Sequence, residues 1–191
     1  MSDAELLRHV QGLTVGDISR EHRRRFADRV AAVCGHERFT YRELDERVNR
    51  LSQVLASRGC VDGSVVVWFG QNCHRVLEHF LACAKLGATL CPINWRASVD
   101  EAAFMLRDLS PAVVVWQRKG LGEKVDQVRR SVGAGAGALV DASWIQHDTE
   151  DADGYEALLA GADDVDDERF VDCLSPVLAI YTGAFSGAPN A

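Results

Sequence analysis

Five consecutive apolar residues, Val65-Val66-Val67-Trp68-Phe69, constrain this chain more than any other feature. A run so short and continuous cannot alternate a wet face with a dry one. It reads as a strand covered on both sides, the pattern of a parallel sheet. Two runs of the same kind, Ala88-Cys91 and Ala112-Trp116, follow at helix-length intervals. The segments between them are helical in period. Val76, Leu77, Phe80, Leu81 and Ala84 form one inward stripe closed by Gly87, and Val99, Ala102, Ala103, Leu106 and Leu109 form another. Ser98 and Glu101 supply a capping box for the second helix, and Pro111 separates it from its strand. Buried strands alternating with helices predict an α/β fold with a central, largely parallel sheet flanked by helices and right-handed crossovers.

Upstream, Ser2 is placed to cap a helix through Leu6, Leu7 and Val10, and Asp17 a second one in which Ile18, Phe26 and Val30 share one face. Val30-Cys34 and Arg38-Tyr41 flank the turn Gly35-His36-Glu37 as a hairpin. Thr40 and Glu43 then form a capping box for a helix with Tyr41, Leu44, Val48, Leu51 and Leu55 inward, stopped by Gly59. Residues 1–38 thus read as a helical preface and first hairpin strand, and residues 39–191 as one α/β unit. Further on come an amphipathic helix at Leu121-Ser131, a Gly/Ala connector at 133–137 and a short strand at Ala138-Val140. A small helix around Tyr155-Ala160 and a strand Val177-Tyr181, opened by Pro176, complete the reading.

Composition excludes several classes. With 47% hydrophobic and 26% charged residues in 191, the chain is neither disordered nor a coiled coil. No stretch approaches the roughly 18 uninterrupted apolar residues of a membrane span. The N-terminus lacks a basic region followed by an apolar core, so a cytoplasmic location is expected. Cys34, Cys60, Cys73, Cys83, Cys91 and Cys173 include no CxxC pair and read as reduced structural thiols. Of the net charge of -7, residues 148–169 hold ten acids and one base, leaving 20 bases and 18 acids elsewhere. That near-neutral body gives no reason to expect a nucleic-acid partner, and the acidic segment reads as a solvated surface loop.

In open α/β sheets ligands sit at the carboxyl ends of strands, which selects the loops Gly70-Asn72, Pro92-Arg96 and Thr182-Asn190. Only the last looks chemical. In Tyr181-Thr182-Gly183-Ala184-Phe185-Ser186-Gly187-Ala188-Pro189-Asn190, glycines allow close backbone approach, and hydroxyls with backbone N–H groups can cradle phosphate oxygens. It is not the GxxxxGK[ST] loop, since Gly183 and Gly187 are spaced one residue short and Asn190 stands where a lysine would.

Three motifs in order, Phe39-Thr40-Tyr41-Arg42-Glu43-Leu44, Ala84-Lys85-Leu86-Gly87-Ala88 through Cys91-Pro92-Ile93-Asn94, and Ile180 to Pro189, resemble those of the adenylate-forming superfamily of acyl-CoA synthetases, peptide-synthetase adenylation domains and luciferases. The resemblance covers most of residues 17–191 and implies the first subdomain of the large N-terminal domain of an adenylate-forming ligase. It also implies a two-step reaction, in which a carboxylate attacks the ATP α-phosphate, with magnesium, to release pyrophosphate, and the acyl group then passes to the coenzyme A thiol. Carried over by position, Thr182, Ser186 and Gly187 match hydroxyl and glycine positions of the triphosphate loop. Gly183 and Ala184 replace Ser-Gly, Phe185 a Thr and Asn190 the Lys, which removes one hydroxyl and one positive charge from phosphate binding.

The family's adenine motif, ribose-binding Asp and catalytic Lys match nothing in this sequence. The expectation is therefore the N-terminal portion of an acid-CoA ligase, of the kind that serves fatty acid metabolism, with no catalytic residue of its own, inactive alone and binding no nucleotide stably. The rival reading is a standalone, catalytically dead homologue acting as an interaction or nucleotide-binding module. An open sheet edge predicts homo-oligomerisation. No metal is assigned: His79 and Cys83, i and i+4, with Cys73 and His74 earlier, read as helix interior, and 148–154 meets a calcium loop only loosely. Asn94-Trp95-Arg96 reads as a structural turn.

Overall fold

A computed structural model describes residues 13–133 and 144–182. In chain order these form α1 (Asp17–Phe26), β1 (Val30–Cys34), β2 (Glu37–Thr40), α2 (Tyr41–Ser57), β3 (Val65–Phe69), α3 (His74–Leu86), β4 (Thr89–Pro92), α4 (Val99–Leu109), β5 (Val113–Trp116), α5 (Gly122–Gly133), β6 (Trp144–Gln146) and α6 (Tyr155–Ala160). β1 and β2 pair antiparallel, and the four others form a sheet in the order β4-β3-β5-β6, every pair parallel. The expected α/β class and parallel sheet are those observed.

Strand side chains alternate faces, so each continuous apolar run feeds two cores. Val66, Trp68, Val113 and Val115 face α2, α3 and α6, whereas Val67, Phe69, Val114 and Trp116 face α4 and α5. Hence β3 and β5 are almost wholly buried. Both capping boxes form: the Thr40 and Ser98 hydroxyls accept from the Glu43 and Glu101 N–H, and each carboxylate accepts from its cap residue's N–H. Gly59 and Gly87, at φ +83° and +73°, take the left-handed conformation that ends a helix.

Several expectations are corrected. Gly16, not Asp17, occupies the N-cap of α1, and the Asp17 carboxylate instead accepts from the backbone N–H and hydroxyl of Thr14. Val30 falls outside α1, in β1, and Ile18, Phe26 and Val30, at 46%, 39% and 52% exposed, form no buried face. Ion pairs help to hold α1: Arg20 reaches Asp166, and Arg23 reaches Asp45 and Glu46. On α3, Leu77 lies outside, while His74, Glu78, His79 and Lys85 are buried. Apolarity alone misplaces that face because these polar groups are stacked or paired.

The strand at Ala138-Val140 falls outside the described residues, and the fourth strand of the sheet is Trp144–Gln146 instead. Val177-Tyr181 is not a full strand. Leu178 makes one parallel bridge to Leu90, with Leu90 donating its N–H to the Val177 carbonyl and Ala179 donating to the Leu90 carbonyl. A parallel partner therefore covers part of the β4 edge. The predicted helix at Tyr155–Ala160 is present, and Tyr155 within it is fully buried. Among the described residues no helix is long and apolar enough to cross a membrane.

Candidate functional site

β3 sends its chain to α3 on one face, and its neighbours β4 and β5 send theirs to α4 and α5 on the other. Such a reversal opens a crevice at the carboxyl end of a sheet, the usual place for a ligand. Here side chains close much of it. Gln117, just past β5, accepts the Gln71 N–H at 2.8 Å and donates its side-chain N–H to the Lys119 carbonyl. Gly70 is closely packed: a Cβ there would lie 3.1 Å from His147 Nε2 and 3.2 Å from Gln117 Cβ, so both neighbours would have to give way by a few tenths of an ångström. The Asn94 carboxamide accepts the Arg96 N–H, the structural turn expected, and Lys124 donates to the Trp95 and Ala97 carbonyls beneath it.

Behind the crevice lies a buried polar stack that the sequence reading missed. The His147 ring stacks on Trp68 at 4.6 Å and 14°, His79 tilts against Trp68 at 5.3 Å, and Tyr155 packs on His79 at 5.3 Å. Tyr155 donates its hydroxyl to Glu78, which is fully buried and also receives two N–H groups of Arg47. Arg47 and Arg75 both reach Glu156. Burial lowers the His79 and His147 rings to about 4, against the opposing pull of nearby polar and acidic groups, and raises the Tyr155 hydroxyl. Both imidazoles are therefore neutral near pH 7.

The acidic segment is corrected as well. Its carboxylates are structural partners rather than only a solvated face. Asp148 accepts the Arg118 and Lys119 N–H groups at 2.8 and 2.7 Å, closing the loop after β5. Asp166 receives Arg20 and the buried Lys85 ammonium, which also touches Asp45 and Asn49. Burial pushes the Asp166 carboxyl up, but the hydrogen bonds from Arg20 and Lys85 outweigh it and hold the group well below the ordinary carboxylate range. A composition bias could not reveal which acids are paired, because their cations lie up to 146 residues away.

Of the phosphate-loop residues, Thr182 is exposed and lies in an isolated bridge; Gly183, Ser186, Gly187 and Asn190 lie outside the described residues. At Leu178 the chain runs parallel to β4, and the loop follows directly in sequence. Ala179 and Tyr181 pack against the core on the α4 and α5 face, and Tyr181 donates its hydroxyl to Asp108.

An open parallel sheet, wound on both faces and continued at one edge just before a glycine-rich run, defines a doubly wound α/β domain. A family profile described as AMP-binding enzyme matches residues 19–189, and the chain belongs to that family. Indoleacetate–CoA ligase of Aromatoleum aromaticum is 30% identical over 154 residues, covering 79% of this chain and 29% of its own length. A medium/long-chain-fatty-acid–CoA/3-oxocholest-4-en-26-oate–CoA ligase of Mycobacterium marinum is 26% identical over 93% of this chain and 33% of that protein. Bacitracin synthase 1 of Bacillus licheniformis is 27% identical over 178 residues, 93% of this chain and 3% of the synthase.

Among solved structures, Mycobacterium tuberculosis fatty acyl CoA synthetase superposes with a TM-score of 0.74 at 28% identity over 92% of this chain and 33% of that one. The N-terminal domain of FACL13 from the same organism also gives 0.74, at 26% identity over 92% of this chain and 42% of that domain. This chain therefore spans a third or less of those curated relatives and corresponds to the N-terminal part of the family fold.

Proposed function

We propose that this chain is the N-terminal portion of an ATP-dependent, AMP-forming acid-CoA ligase, in which the sheet carries the triphosphate loop and residues outside this sequence carry the chemistry. One observation bears most of the weight. The segment at Leu178 lies beside β4 as a further parallel position immediately ahead of the glycine-rich run, within a family match that extends to residue 189. In this reading Thr182, Gly183, Ser186, Gly187 and Asn190 hold the phosphates of magnesium-bound ATP. Asn190 offers a neutral amide where the family's Lys would place a charge, so it stabilises phosphate oxygens less. Relatives named for indoleacetate and fatty acids support a carboxylic acid substrate, fatty acids included, with coenzyme A as acceptor.

The described C-terminal flank supports a partner surface. Phe170, Leu174, Leu178 and Ile180 are 55%, 86%, 43% and 59% exposed, an apolar run that further ligase sequence would cover and that a second copy covers when the chain is alone. Equilibrium sedimentation of the 191-residue chain should show self-association. ATP–pyrophosphate exchange with a panel of acids tests the main reading. The chain alone should give no exchange and no stable ATP binding, whereas a protein extending past Ala191 to the family's full length should give both. Exchange by the chain alone, or none by the longer protein, overturns the proposal.

A further inference from the structure

We propose that Cys34, Glu37 and His74 form a site for one divalent transition metal of the zinc class, pinning the β1-β2 hairpin to the start of α3. Cys34 and Glu37 are register partners across the hairpin, so the tight turn, with Gly35 at φ +61°, brings a thiol and a carboxylate side by side. His74 arrives from the first position of α3. One ligand atom from each of the three lies within 4.8 Å of the other two.

His74 supplies the independent observation. Its side chain is 1% exposed, yet neither ring nitrogen has a hydrogen-bond partner. A buried imidazole left so is unfavourable, and a metal bond satisfies one nitrogen. Nδ1 lies 3.3 Å from the Glu37 carboxylate, and Nε2 lies 3.8 Å from Glu78. A carboxylate behind the second nitrogen is the outer arrangement that orients metal-bound histidines. Phe39 packs on the ring at 4.6 Å and holds its plane.

The donor set selects the metal. Thiolate, imidazole and carboxylate together suit zinc or cobalt, whereas calcium and magnesium take oxygen donors only. Three protein ligands leave a fourth tetrahedral position for water. Bonds of about 2.0–2.3 Å set ligand atoms roughly 3.5 Å apart, so the three groups close by about an ångström, a rotamer adjustment within reach of Cys34 and Glu37. The nearby guanidiniums do not consume the Glu37 charge, because Arg47 pairs with Glu78 and Glu156, and Arg75 with Glu156.

The test is titration of the chelator-treated, fully reduced chain with Zn²⁺ by calorimetry and with Co²⁺ by absorbance. The expected results are one metal per chain, a thiolate-to-cobalt charge-transfer band, and a rise in Tm of about 5 °C or more at zinc about 100-fold above its dissociation constant. Cys34→Ser should remove the band, and Glu37→Gln should weaken binding at least about tenfold. His74→Phe keeps the ring packing and removes both nitrogens, so it should fold by circular dichroism and fail to bind. Cys173→Ser, at an exposed cysteine elsewhere, should bind as the parent does. Absence of stoichiometric binding overturns the proposal, as does binding that survives either Cys34→Ser or His74→Phe.

Discussion

Lys85 is a buried cation on which two carboxylates and an amide converge. Its ammonium lies 2.9 Å from Asp45, 2.6 Å from Asn49 and 2.8 Å from Asp166. Removing one partner of such a cluster leaves desolvated carboxylates without compensation, so Lys85→Met should cost about 3 kcal/mol in urea unfolding. The buried histidines set the pH dependence. His79 and His147 are lowered to about 4 by burial. Below the ordinary imidazole value of about 6.5 the unfolded chain takes up protons that the folded chain refuses, so the stability that the neutral rings contribute falls from about pH 6.5 to 4 and their share levels off beneath. Each ring contributes up to about 1.4 kcal/mol per pH unit at the steepest point. The urea midpoint should therefore drop from pH 7.5 to 5, and His147→Phe, which keeps the stack on Trp68, should make the drop smaller; an unchanged midpoint refutes the assignment. None of this was legible in the sequence, where His79 read only as helix interior.

At the scale of elements, local signals were dependable where they act within a few residues. Both capping boxes form as spaced, and Ser98→Ala should cost about 1 kcal/mol because it orphans an N–H group at the start of α4. Contact between elements is a different matter. Gly16 has ordinary φ, yet a Cβ there would lie 2.9 Å from the Lys85 N and 3.0 Å from the Ala84 carbonyl, both backbone atoms of α3. Gly16→Ala should thus push α1 off α3 and cost roughly 1–3 kcal/mol by thermal or urea unfolding. The left-handed Gly59 has open space around it, so Gly59→Ala isolates the backbone term alone, about 1 kcal/mol. A cost for Gly16→Ala within that of a neutral surface change would show that the two helices slide apart freely. Leu77 faces outward, at 38% exposed, for the same reason: periodicity gives a face its direction but not which side is met by a neighbour.

Across the whole molecule, the α/β class, the strand-helix order and both buried faces of β3 and β5 followed from the sequence, because a continuous apolar run has only one way to escape water. Membership in the AMP-binding enzyme family was likewise legible, in three ordered motifs matched by the profile over residues 19–189. Only the tertiary structure decided that the acidic segment folds back as structural partners to Arg20, Arg47, Arg75 and Lys85. It alone placed 177–179 against β4 and set a thiol, a carboxylate and an unpartnered imidazole together at the hairpin. The division has one physical cause. Burial of apolar surface is a local property that repeats with the period of a helix or strand, whereas an ion pair or a ligand cluster depends on distance between residues far apart in the chain, which no local period encodes.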